Sequence, residues 1–222
     1  MLMIRKHRTG LAVLSALLLA AGIAASKLHA QSDADPTCKT TFVKVTSDAP
    51  ACGFALSGTG TFTLDGQTLA DPLVASYEDS GGGQKAIAAR QMMLFPPSPS
   101  GRFRIVQACD GTGADALCWQ TLVLDRDKAK LQNIFAGRYG PEQWQSWSPD
   151  EQHVALVNKS EEASWLHVID PESGNSQDFP GDDSTENWTI EPQTLRWTGP
   201  RSFTVTVKTC EQCVAARKEI AF

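Results

Sequence analysis

Cys210-Glu-Gln-Cys213 offers the clearest chemistry in this sequence. Two thiols at that spacing can cycle between dithiol and disulfide. A redox site places the motif between a strand and a helix, whose N-terminus lowers the thiol pKa. Here Ser202 to Thr209 alternates apolar and polar residues as a strand does, and Val214 to Phe222 can form the return strand. Cys210 and Cys213 are then the ends of a tight turn, with Cα atoms within about 7 Å. That separation suits a disulfide. The favoured reading is a structural staple, with a thiol oxidoreductase using Cys210 and Cys213 as the alternative. A zinc site needs a second ligand pair. Val214 in place of His after Cys213 excludes haem attachment.

The other cysteines form two further neighbouring pairs, Cys38 with Cys52 and Cys109 with Cys118. Six cysteines allow fifteen pairings, and spacing alone favours this one. His153 and His167 are the only histidines beyond residue 30 and fall on adjacent strands of one hairpin, where structural roles are expected. No H-E-x-x-H, no G-x-S-x-G elbow and no phosphate-binding G-x-x-x-x-G-K-[ST] loop is present. Asp110-Gly-Thr-Gly-Ala-Asp115 lacks the further acidic ligands of a calcium loop and reads as a stapled turn. The sequence therefore predicts no catalytic residue, no metal and no cofactor.

Binding residues are the remaining candidates. Asp182, Asp183 and Glu186 make an acidic loop that can dock a basic partner. All six tryptophans lie between residues 119 and 197. Trp147, Trp165 and Trp197 fall at packing positions of a repeat. Trp144 and Trp188 fall in connecting segments and are expected to be exposed contact anchors. Trp188, Asp182, Asp183, Glu186 and Trp144 are thus the predicted binding set, with Asp110–Leu117 the next surface to test.

The first 30 residues predict export. Met1 to Arg8 is basic, Leu11 to Ala25 is almost wholly apolar, and Ala30 precedes Gln31. This is the layout of a cleaved signal peptide, with Ala30 the favoured cleavage residue. The apolar run is shorter than the roughly 20 residues that span a bilayer. A periplasmic or secreted location follows, and such compartments favour disulfides. Four of the 20 Lys and Arg lie in this leader, which has no Asp or Glu, leaving 16 against 25 and a net charge of −9. That balance argues against a nucleic-acid partner. The 41% apolar content suits a packed core.

A repeat of about fifty residues organises the rest. Ser98-Pro-Ser-Gly precedes the alternating run Phe103 to Val106, and Ser148-Pro-Asp-Glu precedes His153 to Val157. Thr198-Gly-Pro precedes Phe203 to Val207. Trp119 to Asp125 and Trp165 to Asp170 are matching third strands, followed by weak fourth strands near Leu131–Phe135 and Ser176–Phe179. Period-2 runs bounded by Pro, Gly, Ser and Asp read as strands and turns. A repeat of this length in an all-β chain points to propeller blades. Trp-Ser-Pro-Asp at 147–150, then Leu-His-Val-Ile-Asp and Pro-Glu-Ser-Gly, resembles the TolB-type (WD40-like, PD40) β-propeller repeat. The resemblance covers Gln143 to Phe179 best. It implies an exported binding platform, although such repeats also occur in peptidases and sugar-handling proteins.

The expected fold is all-β: a propeller-like array of about three blades over 96–222, continuous with an N-terminal β segment over 31–95, small or incompletely closed. Asp65-Gly66 after Thr61–Leu64 signals a hairpin. Gln84–Leu94 is balanced between helix and strand, with strand favoured as the first blade's opening strand. Thr40–Thr46 is expected to complete the third blade, which lacks a fourth strand. The ends of the chain (Thr37-Cys38, Thr41-Phe42 and Cys210–Cys213) are similar to small exported immunity proteins of type VI amidase effectors. That similarity implies a partner such as a basic cell-wall hydrolase. The expected function is therefore an exported, non-enzymatic protein-binding module, with an inhibitor or immunity protein against a secreted cell-wall hydrolase as its narrower form. An envelope scaffold or sugar-binding propeller is the alternative.

Overall fold

The structure, a computed structural model, describes residues 36–78, 81–113, 116–136, 141–160, 163–181 and 184–222. The predicted leader and its cleavage point at Ala30 lie outside the described residues, as do Asp182 and Asp183. Among those described, no helix is long and apolar enough to cross a membrane. The fold is all-β, its strands gathered in five antiparallel sheets.

The N-terminal part holds one short helix, α1 (Thr37–Thr40), and six strands: β1 (Val43–Thr46), β2 (Phe54–Leu56), β3 (Phe62–Leu64), β4 (Gln67–Ala70), β5 (Val74–Glu78) and β6 (Gln84–Ala88). β2–β4 form one small sheet, and β5 with β6 another. Asp65 and Gly66 turn the β3–β4 hairpin with φ of 49° and 83°, the left-handed pair that a two-residue hairpin loop of type I′ requires.

The repeat region follows. Its first unit is β7 (Gln91–Pro97), β8 (Phe103–Cys109), β9 (Cys118–Asp125) and β10 (Lys130–Ala136). The second is β11 (Pro141–Trp147), β12 (Val154–Lys159), β13 (Ser164–Ile169) and β14 (Ser176–Phe179). The third is β15 (Thr189–Gly199), β16 (Ser202–Lys208) and β17 (Ala216–Ala221). Each unit is a separate antiparallel meander.

Alternating side chains explain how the sheets stack. In the first sheet Met92, Leu94, Val106, Ala108, Leu122 and Leu124 pack toward the N-terminal strands with Phe54, Phe62 and Ala75. The residues between them, Phe95, Phe103, Ile105 and Val123, pack on Val154, Leu156 and Ile169 of the second sheet. That sheet's other face, with Ala155, Val157, Leu166 and Val168, meets Phe203, Val205 and Val207 of the third. Sheets buried on both faces read as near-continuous apolar runs, and those of β8 and β12 do. The third sheet's far face is polar. Arg217 there donates to the Thr204 hydroxyl at 2.7 Å. A polar outer face is how a repeat array terminates.

Two placements differ from the sequence reading. β1 does not complete the third sheet; it pairs with β7, Val43 opposite Leu94 and Thr46 opposite Gln91. Val45, fully buried, thereby enters the first core. The third sheet instead ends on β17, whose Arg217, Lys218 and Glu219 blunt the edge with charge. Gln84–Leu94 is extended as favoured, but as parts of two strands in different sheets: β6 pairs with β5 and β7 with β1 and β8. Pairing overrides the helix propensity of its Ala and Gln residues.

Candidate binding surfaces

The predicted anchor Trp188 is buried, not exposed. The residue is 4% accessible and belongs to the core between the second and third sheets. Its carbonyl accepts the Ser164 N–H at 2.7 Å, and the Ser164 hydroxyl accepts the Ile190 N–H at 2.9 Å. This tie pins the crossing segment onto the edge of β13, and the ring fills the gap between sheets. The indole N–H donates to Glu186 Oε2 at 2.7 Å. Lys218 Nζ lies 2.5 Å from the same oxygen and 5.0 Å from the ring centroid. The Lys218 hydrogen bond, then that from Trp188, holds the Glu186 carboxyl below its ordinary value. Glu186 is thus engaged with its own chain. Trp144 is also corrected: it lies within β11, half-buried against the same core. The structure therefore brings Trp188, Trp144 and Glu186 together around one core, where the two rings act in packing.

All six cysteines are paired as neighbours: Cys38–Cys52, Cys109–Cys118 and Cys210–Cys213. Cys210 and Cys213 sit in the turn between β16 and β17, the Cys213 N–H donating to the Cys210 carbonyl at 3.1 Å. A strand stands on either side, and among the described residues no helix N-terminus adjoins the motif. Cys109 and Cys118 close the corresponding β8–β9 hairpin. Asp110 is consumed within that hairpin, accepting from the Leu117 N–H and the Trp119 indole, each at 2.9 Å. The two staples lie at the same end of the stack, opposite the Ser-Pro turns. Beside each sulfur pair stands an exposed apolar residue: Leu117, 40% accessible, and Val214, 89%. Val214 is not among the predicted binding residues. An apolar residue directly after a cysteine in a turn was the available signal.

The other end of the stack is a polar clamp. In both Ser-Pro turns the serine hydroxyl accepts a backbone N–H five residues on, Ser98 from Phe103 at 3.2 Å and Ser148 from His153 at 3.0 Å. Gly101 ends the first turn with φ of 81°, and Glu151 takes the equivalent position with φ of 56°. The left-handed backbone is costly for Glu. Its carboxylate, however, accepts from the Ser100 N–H at 2.7 Å and hydroxyl at 2.6 Å, locking the first turn to the second. Arg102 bonds Asp125 at 2.9 Å and Glu172 at 3.1 Å, and Lys128 bonds Glu172 at 2.7 Å. A cleft of about 620 Å³ lies among these turns, lined by Arg102, Asp150, Glu151, His153, Asp170 and Glu172 among others.

The histidines face opposite neighbours. His167 bonds Asp178 at 2.5 Å and lies 5.4 Å from the Phe135 ring of the first sheet. His153 lies edge-on to Phe222 at 5.0 Å, on the side of the third. They do not converge on a common site.

The clamp carboxyls set an acid limit. Burial alone would raise the Asp125 carboxyl, but the Arg102 hydrogen bond, the Lys128 N–H and both cations outweigh it and hold it low. The Lys128 and then the Arg102 hydrogen bonds lower Glu172. For Glu151, burial pushes upward and the Ser100 and Ser98 hydrogen bonds pull further down. A carboxyl with a lowered folded pKa stabilises fully above its unfolded value and loses that contribution as pH falls through the folded one. Thermal stability is expected to be flat from neutrality to about pH 5 and to fall below it. Asp125→Asn should lower the melting temperature at pH 7 and flatten the acid limb. A wild-type melting curve unchanged at pH 3 would show that these pairs contribute nothing.

No family model matches the sequence, and no curated protein matches it. Among solved structures, Kuenenia stuttgartiensis hydrazine synthase aligns at 15% identity over 76% of this chain, with a TM-score of 0.32. This chain covers 56% of that one, and a likeness at this score transfers neither fold nor function.

Proposed function

We propose that this chain is an exported, non-enzymatic protein-binding module built as an open array of propeller-type blades. Its partner is another exported protein. One observation carries the reading: two disulfide-stapled hairpin tips at one end of the stack each hold an apolar side chain in water, Leu117 and Val214. Loops on a rigid sheet scaffold are where binding residues concentrate. A staple removes the ordering cost that a mobile loop would incur on binding. Three disulfides accord with an oxidising compartment. The net charge of −9 beyond residue 30 favours a basic partner by steering its approach. A secreted basic cell-wall hydrolase, held by an inhibitor or immunity protein, is the narrower form.

The test is comparative capture from a periplasmic extract of the source organism. The wild type and the double variant Leu117→Asp, Val214→Asp are immobilised at equal density, and each recovered protein is quantified. The variant is expected to lose its partner by about tenfold or more, the scale of a hot-spot loss. Both residues are exposed, so the melting temperature should hold. Equal recovery on both surfaces would remove the tips from the interface and this reading with them.

A further inference from the structure

The three bridges differ in how they meet solvent. Cys38 and Cys109 are buried, at 6% and 0% accessible. Each is bonded to a half-buried partner, Cys52 and Cys118. Cys210 is exposed and Cys213 half-buried, so the third bridge alone has no buried member. Thiol–disulfide exchange needs a path to one sulfur and a thiolate that can leave from the other. Both routes are poor at the first two bridges. The buried cysteine is closed to attack, and attack on its partner expels a buried thiolate, which burial disfavours. At the third bridge the exposed cysteine is open to attack, and the leaving thiolate stays within reach of water.

Little of the fold depends on this bridge. It joins cysteines three residues apart, and the constraint on the unfolded chain grows with loop length. The hairpin is also held without it. The Cys213 N–H donates to the Cys210 carbonyl at 3.1 Å, and β16 pairs with β17 from Ser202 opposite Ala221 to Val207 opposite Ala216. Opening the bridge therefore leaves two thiols side by side, placed to close again. Among the described residues no helix N-terminus adjoins the motif to lower a thiol pKa, as an attacking cysteine would need. The bridge is suited to being attacked, not to attacking.

We infer that Cys210–Cys213 is a reversible redox-modification site, reduced in the folded protein by an exported dithiol. One thiolate of the dithiol attacks Cys210 Sγ. The Cys210–Cys213 bond breaks, and Cys213 leaves as a thiolate that takes up a proton. The dithiol's second sulfur then attacks its first across the mixed disulfide and releases the Cys210 thiolate, which is protonated in turn. The bridge gains two electrons and two protons, and the dithiol loses them as its own disulfide forms. A monothiol does not carry the reaction through, because the Cys213 thiol held alongside expels it and restores the bridge. The site is a substrate for exchange and does not depend on the protein-binding reading.

Timed reduction of the purified native protein by dithiothreitol tests it, with iodoacetamide as quench and peptide mapping by mass spectrometry. Cys210 and Cys213 are expected to be labelled at least about tenfold faster than the other four cysteines. Glutathione at the same thiol concentration should label that pair at least about tenfold more slowly than the dithiol does. Transfer of the reduced protein into oxidised glutathione should restore the bridge. In the Cys210→Ser, Cys213→Ser variant, the other two bridges should keep their slow wild-type rates. Equal labelling of all six cysteines, earlier labelling of either other pair, no labelling of Cys210 and Cys213 in the native protein, glutathione acting as fast as the dithiol, or a bridge that does not re-form would each overturn the assignment. Fast reduction of the remaining bridges in the variant would show that Cys210–Cys213 holds the array closed, and would overturn it as well. Every readout uses the protein alone, so a failed capture from periplasmic extract would remove the protein-binding reading and leave this one standing.

Discussion

Trp188→Ala is expected to destabilise the fold by about 3–5 kcal/mol, the usual cost of truncating a buried aromatic side chain. The indole is part of the core between the second and third sheets, and its N–H partner Glu186 also carries the bond from Lys218. Removing the ring leaves a cavity and loosens a three-residue cluster. In a chain of this size each kcal/mol moves the melting temperature by about 2–4 °C, so a fall of roughly 10 °C follows. Trp188→Phe should recover much of the loss, because it restores the packing and forfeits only the hydrogen bond. Denaturant unfolding of the three proteins measures this. If Trp188→Ala kept its stability and instead lost affinity for a partner, the ring would be a contact anchor after all.

Removing the Cys38–Cys52 bridge should cost about 3 kcal/mol by loop-closure entropy. The bond spans 14 residues and ties α1 to the turn ahead of β2. It also holds the carbonyl that Arg104 bonds. In the Cys38→Ser, Cys52→Ser variant, hydrogen exchange should rise first in β1 and β2 and least in β15–β17, which share no core cluster with them. The Cys210–Cys213 bridge spans three residues. Its loss should cost less, since the constraint on the unfolded chain grows with loop length. Uniform acceleration across all sheets would mean that the array unfolds as one unit and that the bridge does not act locally.

Short-range physics made much of the architecture legible in the chain. The near-continuous apolar runs of Phe103 to Cys109 and Val154 to Lys159 specify strands whose two faces both meet apolar neighbours. Ser-Pro followed by Ser-Gly or Asp-Glu specifies turns, because the serine hydroxyl bonds a nearby N–H, and Gly101 takes the left-handed backbone of the first turn without cost. Cysteines that close tight hairpins pair with their neighbours because no others are within reach. The candidate surface was less legible. Trp188 and Trp144 have the residue type of an anchor, and type carries no information about which face of a sheet a residue meets.

Those faces were decided by contacts between distant segments. β1 chose the edge of β7 because Val45 finds the first core there, roughly fifty residues along the chain. Glu151 keeps an unfavourable backbone because its carboxylate reaches Ser100 on the preceding sheet. Trp188 is buried because its segment crosses between two sheets and binds Ser164 on the way. The amino-acid sequence by itself determined strands, turns and disulfide neighbours, whose energies are settled within a few residues. The tertiary structure alone decided edges, clamps and exposure, because those energies arise only when sheets remote in sequence come together and water leaves the gap between them.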